Sequence, residues 1–203
     1  MEKTKLFLEI FNKAKKKYEK QTKRLAGEGW QENWQTLFAT IMSAQTKDET
    51  TIPVAEELFN KHKLESIASS DPEDVKKIIR KVNYNNTKSR NLVKAARYLI
   101  ENYDKEVPDT LDELIKIPGV GRKTANLVLA ECFQKQAICV DTHVHKISNM
   151  FGIVKTKTPD ETEQELMKIV PKRYWKEVNR IFVLWGKEKP RYDKDSLVAL
   201  LEN

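Results

Sequence analysis

Leu114-Ile115-Lys116-Ile117-Pro118-Gly119-Val120-Gly121-Arg122-Lys123-Thr124-Ala125 is the stretch that decides how this chain folds. Two glycines flank one apolar residue, with an apolar-periodic segment on either side, which predicts a hairpin between two helices over about 111–133. Gly119 and Gly121 are expected to take positive φ and to let a phosphate approach the main chain closely. Pro118 stops the first helix. After Gly121, the segment Arg122 to Phe133 predicts a second helix, with Ala125, Val128, Leu129 and Cys132 on one face. Its unpaired amides and positive dipole end point back at the turn and make an anion site. A turn of this kind also serves simply to reverse the chain, and the glycines alone do not separate the two uses.

Two residues beyond the turn give it a chemical context. Lys123 falls in the first turn of the second helix, where a partly desolvated amine among other positive groups has its pKa lowered. A neutral lysine is the nucleophile that Schiff-base chemistry on a sugar carbon needs. A phosphate-neutralising or solvated lysine fits the same position. Eighteen positions on, Val140-Asp141-Thr142-His143-Val144 opens another helix, with Val144, Ile147 and Phe151 at helical spacing. Asp141 or Thr142 is therefore a candidate N-cap, and Asp141 is equally a candidate catalytic carboxylate. The two roles are compatible, because a carboxylate at a helix start is held in place.

Outside the hairpin the chain reads as helix after helix. Apolar residues recur at three- and four-residue spacing over 34–43, 51–61, 72–82, 87–103, 110–117, 141–151, 159–169, 174–185 and 193–201. Start signals stand at Asp71-Pro72, Asp109-Thr110 and Thr158-Pro159. Ala137 to Val140 is too short to argue a sheet, and no repeat or low-complexity segment interrupts the pattern. The expected fold class is all-α.

At 203 residues and 39% hydrophobic content, the chain can bury a core as one domain or two small ones. No apolar run approaches a membrane span, and the N-terminus has no signal-peptide pattern. Two cysteines suggest free thiols in a reducing compartment, so an intracellular protein (cytoplasm or nucleoid) is expected. The charge is uneven: residues 1–24 carry +6 of the net +7, on a helix whose stripe reads Leu6, Ile10, Phe11, Ala14 and Tyr18. Such a lysine face is a solvated surface, and beside DNA it also adds salt-sensitive affinity.

Together these residues resemble the helix–hairpin–helix (HhH-GPD) DNA glycosylases of base-excision repair, in their endonuclease III branch. Further motifs carry the likeness: Phe38 to Asp48, which passes through Ser43-Ala44-Gln45; Asn85-Asn86-Thr87-Lys88-Ser89-Arg90-Asn91-Leu92; and Val107-Pro108-Asp109. The resemblance spans about residues 30–187. It implies two helical lobes: a six-helix domain over 25–135 holding the hairpin, and a second lobe from 1–24 plus 136–203. It further implies a monomer that acts on damaged double-stranded DNA and has no membrane partner.

By the same likeness Lys123 and Asp141 are catalytic, since a lysine at 123 marks the branch that couples base removal to strand cleavage. Gly119, Val120, Gly121, Arg122, Thr124, Gln45, Tyr84, Lys88, Thr142 and His143 are implied DNA contacts. Gln45 would fill the space of a flipped nucleotide, and Tyr84 stands where the family inserts an apolar wedge. The segment Val82-Asn83-Tyr84-Asn85 departs from the family's Ile-Gly-Leu-Tyr pattern. The implied substrates are damaged pyrimidines; the alternatives are uracil or mismatched thymine opposite guanine, or a non-catalytic DNA-binding module.

One departure concerns the cofactor. The family usually carries a four-cysteine loop for an iron–sulfur cluster after a Leu-His-Gly-Arg-like segment. Here Leu184-Trp185-Gly186-Lys187 is followed by Glu188-Lys189-Pro190-Arg191-Tyr192, and no cysteine follows up to Asn203. Cys132 and Cys139 are not spaced as cluster ligands, and four thiolates are needed. No metal and no cofactor are expected. Tyr174, Trp175, Phe182, Trp185 and the Leu197-Val198-Leu200-Leu201 helix are expected to supply apolar burial in place of the cluster.

Overall fold

A computed structural model describes residues 2–188 and 193–202, and every regular element among them is helical. The segment 189–192, where a cluster loop would begin, lies outside the described residues. The chain divides into two compact units, 24–134 and 1–23 with 135–203.

The unit 24–134 holds α2 (Asn33–Ser43), α3 (Asp48–Lys61), α4 (Leu64–Ser69), α5 (Pro72–Ile78), α6 (Asn85–Tyr103), α7 (Leu111–Leu114) and α8 (Arg122–Phe133). Its centre is α2, whose Leu37, Phe38, Ala39 and Met42 are fully buried and which packs on α3, α6 and α8. Start signals read from the sequence act as caps: Asp71 accepts from the Glu73 amide, and Thr110 accepts from the Glu113 amide. The six-residue α4 has no counterpart in the apolar pattern. It buries Leu64, Ile67 and Ala68, and its carbonyl at Ala68 accepts from Arg97 Nε of α6 at 2.6 Å.

Two helices end earlier than their periodicity suggests. The helix expected over 110–117 stops at Leu114, because Pro118 disfavours helical backbone at Ile117. Its last amides switch to shorter bonds, Lys116 to Glu113 O and Ile117 to Leu114 O, both 3.1 Å. The helix expected to reach Val82 stops at Ile78, and the chain turns through 79–84 into α6.

The unit built from both chain ends holds α1 (Glu2–Tyr18), α9 (Thr142–Met150), α10 (Pro159–Ile169), a short 3₁₀ turn (Lys172–Tyr174), α11 (Trp175–Lys187) and α12 (Lys194–Glu202). The stripe of α1 is Phe7, Ile10, Phe11, Ala14 and Tyr18; Leu6 borders it and is half-buried, so the apolar face is rotated from the expected one. Phe7, Phe11 and Phe182 meet at 5.1–6.5 Å between ring centres, and Trp185 closes on Phe182 and Phe151. Each fully buried ring contributes about 2–3 kcal/mol of apolar transfer.

The terminal helix α12 is anchored by Leu197, which is fully buried and whose carbonyl accepts from the Trp185 indole at 3.0 Å; Val198, Leu200 and Leu201 are only half-buried. The lysine face of α1 is partly engaged. Lys15 pairs with Glu177, Lys17 donates to the Leu200 carbonyl, and Tyr18 donates to Glu188.

Candidate functional site

The hairpin is built as its glycines require, but they serve different ends. Gly119 has φ +84°, and a Cβ there would sit 2.9 Å from Asn91 Cβ of α6. Only glycine satisfies both conditions. Gly121 departs from expectation: its φ is −97° with ψ 174°, ordinary extended backbone, and a Cβ on it would meet nothing within 4 Å. Nothing inside the protein demands glycine at 121. What its missing side chain leaves open is the approach from outside to the start of α8, where helix amides gather.

Val120 is buried and closes the turn, its amide donating to Ile117 O at 3.0 Å. Arg122 is half-buried and Thr124 is buried. Lys123 is exposed on the first turn of α8. The desolvation expected from the sequence is therefore not provided by its own surroundings.

Asp141 is the N-cap of α9. Its Oδ1 accepts from the amides of His143 and Val144, both at 2.9 Å. The carboxylate is thus fixed in orientation at the positive end of a helix. Thr142 is exposed and His143 half-buried beside it. His145 is structural: its Nδ1 lies 2.7 Å from the buried Thr162 hydroxyl, within a network that includes Asn149 and Thr156.

A second locus in the unit 24–134 gathers Gln45, Tyr84 and Lys88. Gln45 follows α2 at φ 55°, and Tyr84 precedes α6 at φ 58°, both in the left-handed region that non-glycine residues rarely occupy. Tyr84 is 64% exposed. Lys88 corrects the sequence reading. Expected as a DNA contact, it is only 6% exposed, and its ammonium donates to Met42 O (2.7 Å), Ala44 O (2.5 Å) and Thr46 Oγ1 (3.2 Å). An ammonium has three donors, and all three are used within the protein. Burial pulls its pKa down to about 8.

Sequence reasoning missed two residues here. Asn83 donates from Nδ2 to Gln45 O (2.5 Å) and from its amide to Thr46 Oγ1 (3.2 Å), and Asn91 fits against Gly119. Their partners are distant in sequence, so no local pattern announces them. The start of α6 thus joins the hairpin, through Asn91, to the Gln45–Tyr84 locus, through Lys88.

The residues do not fit an iron–sulfur cluster. The two cysteines belong to different units, and such a cluster takes four thiolates. Cys132 is half-buried with its thiol pushed up to about 11, and Cys139 is buried. Among the described residues, no group of three or more His, Cys, Asp or Glu is placed to hold a metal ion.

Comparison with known proteins places these features in one family. The model of the HhH-GPD superfamily of base excision DNA repair proteins matches residues 38–172. Endonuclease III of Thermotoga maritima is 43% identical over 155 residues, covering 76% of this chain and 73% of the relative. Endonuclease III of Synechocystis sp. is 36% identical, covering 75% and 71%. Among solved structures, that of a trapped endonuclease III–DNA covalent intermediate aligns with a TM-score of 0.87 at 30% identity, over 94% of this chain and 89% of that one.

Proposed function

The chain belongs to the HhH-GPD superfamily of base excision DNA repair proteins, on its endonuclease III side, and we propose that it is a DNA glycosylase and abasic-site lyase for damaged pyrimidines. The observation that carries the reading is the hairpin: Gly121 open to solvent, with the exposed amine of Lys123 in the helical turn that follows. A phosphate seated at Gly121 would take the α8 amides and bring the sugar backbone to that amine. Gly119, Val120, Gly121, Arg122 and Thr124 form this backbone contact, and Thr142 and His143 contact DNA at the start of α9.

The chemistry follows from the two candidate residues. The damaged nucleotide leaves the stack before its glycosidic bond is reached. Asp141 stabilises positive charge developing on the sugar, and the Lys123 amine, once deprotonated, is the nucleophile. The Lys123 nitrogen then bonds to the anomeric carbon as the base departs with the glycosidic electron pair. Ring opening gives an imine, and loss of a proton from the adjacent carbon expels the 3′ phosphate by β-elimination.

We further propose that the protein works without an iron–sulfur cluster, as an intracellular monomer. That neither cysteine is in a disulfide supports the reducing compartment, and the Trp185–Leu197 anchor supports a second unit held by packing. No described helix is long and apolar enough to cross a membrane.

Borohydride trapping tests the central reading. The chain should give a covalent adduct on abasic-site DNA, and Lys123→Gln should abolish it; an adduct that survives Lys123→Gln overturns the assignment. Duplexes carrying thymine glycol, dihydrouracil, uracil or mismatched thymine then rank the substrates, with the oxidised pyrimidines expected first. Iron in the purified protein would overturn the cluster-free reading.

A further inference from the structure

Two turns far apart in sequence carry the two exposed residues of the Gln45–Tyr84 locus, and both are held in backbone conformations that side chains resist. The first, Ala44-Gln45-Thr46, leaves the C-terminus of α2. The second, Asn83-Tyr84, enters α6. A left-handed non-glycine residue persists only where surrounding bonds over-determine it.

Those bonds cross between the turns. Asn83 donates twice, to the Gln45 carbonyl and the Thr46 hydroxyl. Lys88 donates to two carbonyls that lead into Gln45, those of Met42 and Ala44, and to the same Thr46 hydroxyl. On its own main chain, Lys88 donates to the Tyr84 carbonyl at 3.0 Å. Lys88 therefore ties the backbone before Gln45 and the Thr46 side chain after it, while its own amide donates to the Tyr84 carbonyl. The carbonyls it takes lie at the negative end of α2, where a cation is the complementary group. A helix C-terminus can be capped by backbone or by water without burying a charge; a buried ammonium reaching from a second helix fixes two elements at once.

We propose that Lys88 is a positioning residue that, with Asn83, locks the two turns into one rigid ridge, so that Gln45 and Tyr84 enter the DNA duplex together at a fixed separation. Opening a duplex is costly, and the cost is met best when the inserting groups need no ordering of their own. Tyr84 presents an aromatic face that stacks on any base, and Gln45 offers amide donors and acceptors to an unpaired one. Lys88 itself touches no DNA. Its effect appears only where strands must be separated.

This inference rests on the glycosylase reading, and the test separates the two. Lys88→Met and Asn83→Ala are compared with the unsubstituted chain on a duplex carrying a damaged pyrimidine and on a single-stranded abasic oligonucleotide trapped with borohydride. Duplex excision under single turnover should fall about tenfold in both variants, with adduct formation on the single strand within about twofold. In a Gln45→Ala/Tyr84→Ala background, adding Lys88→Met should change duplex excision no further. Equal losses on both substrates, or a full additional loss in that background, overturn the proposal. Should Lys88→Met fail to fold, Asn83→Ala, which removes only the exposed side-chain bond to the Gln45 carbonyl, carries the same comparison. No adduct from the unsubstituted chain overturns the glycosylase–lyase reading, and this proposal with it.

Discussion

The unit 24–134 contains two sharp turns that meet the same α6 and are made in opposite ways. The hairpin at 115–121 uses composition: a proline ends its first helix, one glycine supplies positive φ against Asn91, and another leaves an open approach. The ridge at 44–46 and 83–84 uses no glycine. It forces Gln45 and Tyr84 into the left-handed region and holds them with bonds from Asn83 and Lys88. A turn that must expose bare backbone spends glycines; a turn that must expose side chains needs tethers instead.

The largest effect is expected outside both turns, at the cap of α9, where the cap and the proposed catalytic carboxylate are one side chain. Asp141→Asn keeps a good N-cap while removing the charge. Single-turnover excision should fall about a hundredfold or more while the thermal midpoint barely moves. A parallel loss of stability and rate would reduce Asp141 to a cap.

The hairpin glycines come next, because they divide by role. Gly119→Ala meets both positive φ and Asn91, and should cost about 1–3 kcal/mol, a fall of roughly 2–4 °C in Tm for each. Gly121→Ala should leave Tm unchanged to within about 0.5 kcal/mol, since its backbone is extended and its Cβ would meet open space. Its loss should appear in DNA binding, as a several-fold rise in Kd read by fluorescence anisotropy. Equal melting of both variants would erase the distinction drawn between them.

The smallest effect is a pH dependence in the ridge. Burial lowers the Lys88 pKa from 10.5 to about 8, so between those values the unfolded chain binds more protons than the folded one at this residue. Its contribution to stability therefore rises with pH across that window. Lys15, Lys77 and Lys105, raised by hydrogen bonds to Glu177, Asp74 and Glu65, have the opposite sign and lose their contributions as pH climbs past 10.5. Comparing urea midpoints of the unsubstituted chain with those of Lys88→Met cancels these common terms. The unsubstituted chain should gain on the variant from about pH 8 to pH 10. A constant gap would place the Lys88 ammonium outside the folded packing.

What the sequence made legible follows the same division. The helices, the hairpin and the caps at Asp71, Thr110, Asp141 and Thr158 rest on local chemistry, and the structure shows them. The ridge does not: Lys88 reaches residues 42 to 46 positions away, and neither glutamine nor tyrosine signals left-handed backbone. Lys88 in particular reads as a phosphate contact from its charge, and only its burial reveals an internal tether. Helix α4 was hidden for another reason, since six residues are too few to show a period. Gly121 was legible as important but for the wrong conformational cause.

One amine, that of Lys123, carries the proposed chemistry. Mass-spectrometric mapping of the borohydride-trapped adduct on abasic DNA locates the nucleophile directly. The sugar remnant is expected on the peptide containing Lys123, with Lys88 unmodified. A remnant on any other lysine, or on the N-terminal amine, would contradict the account.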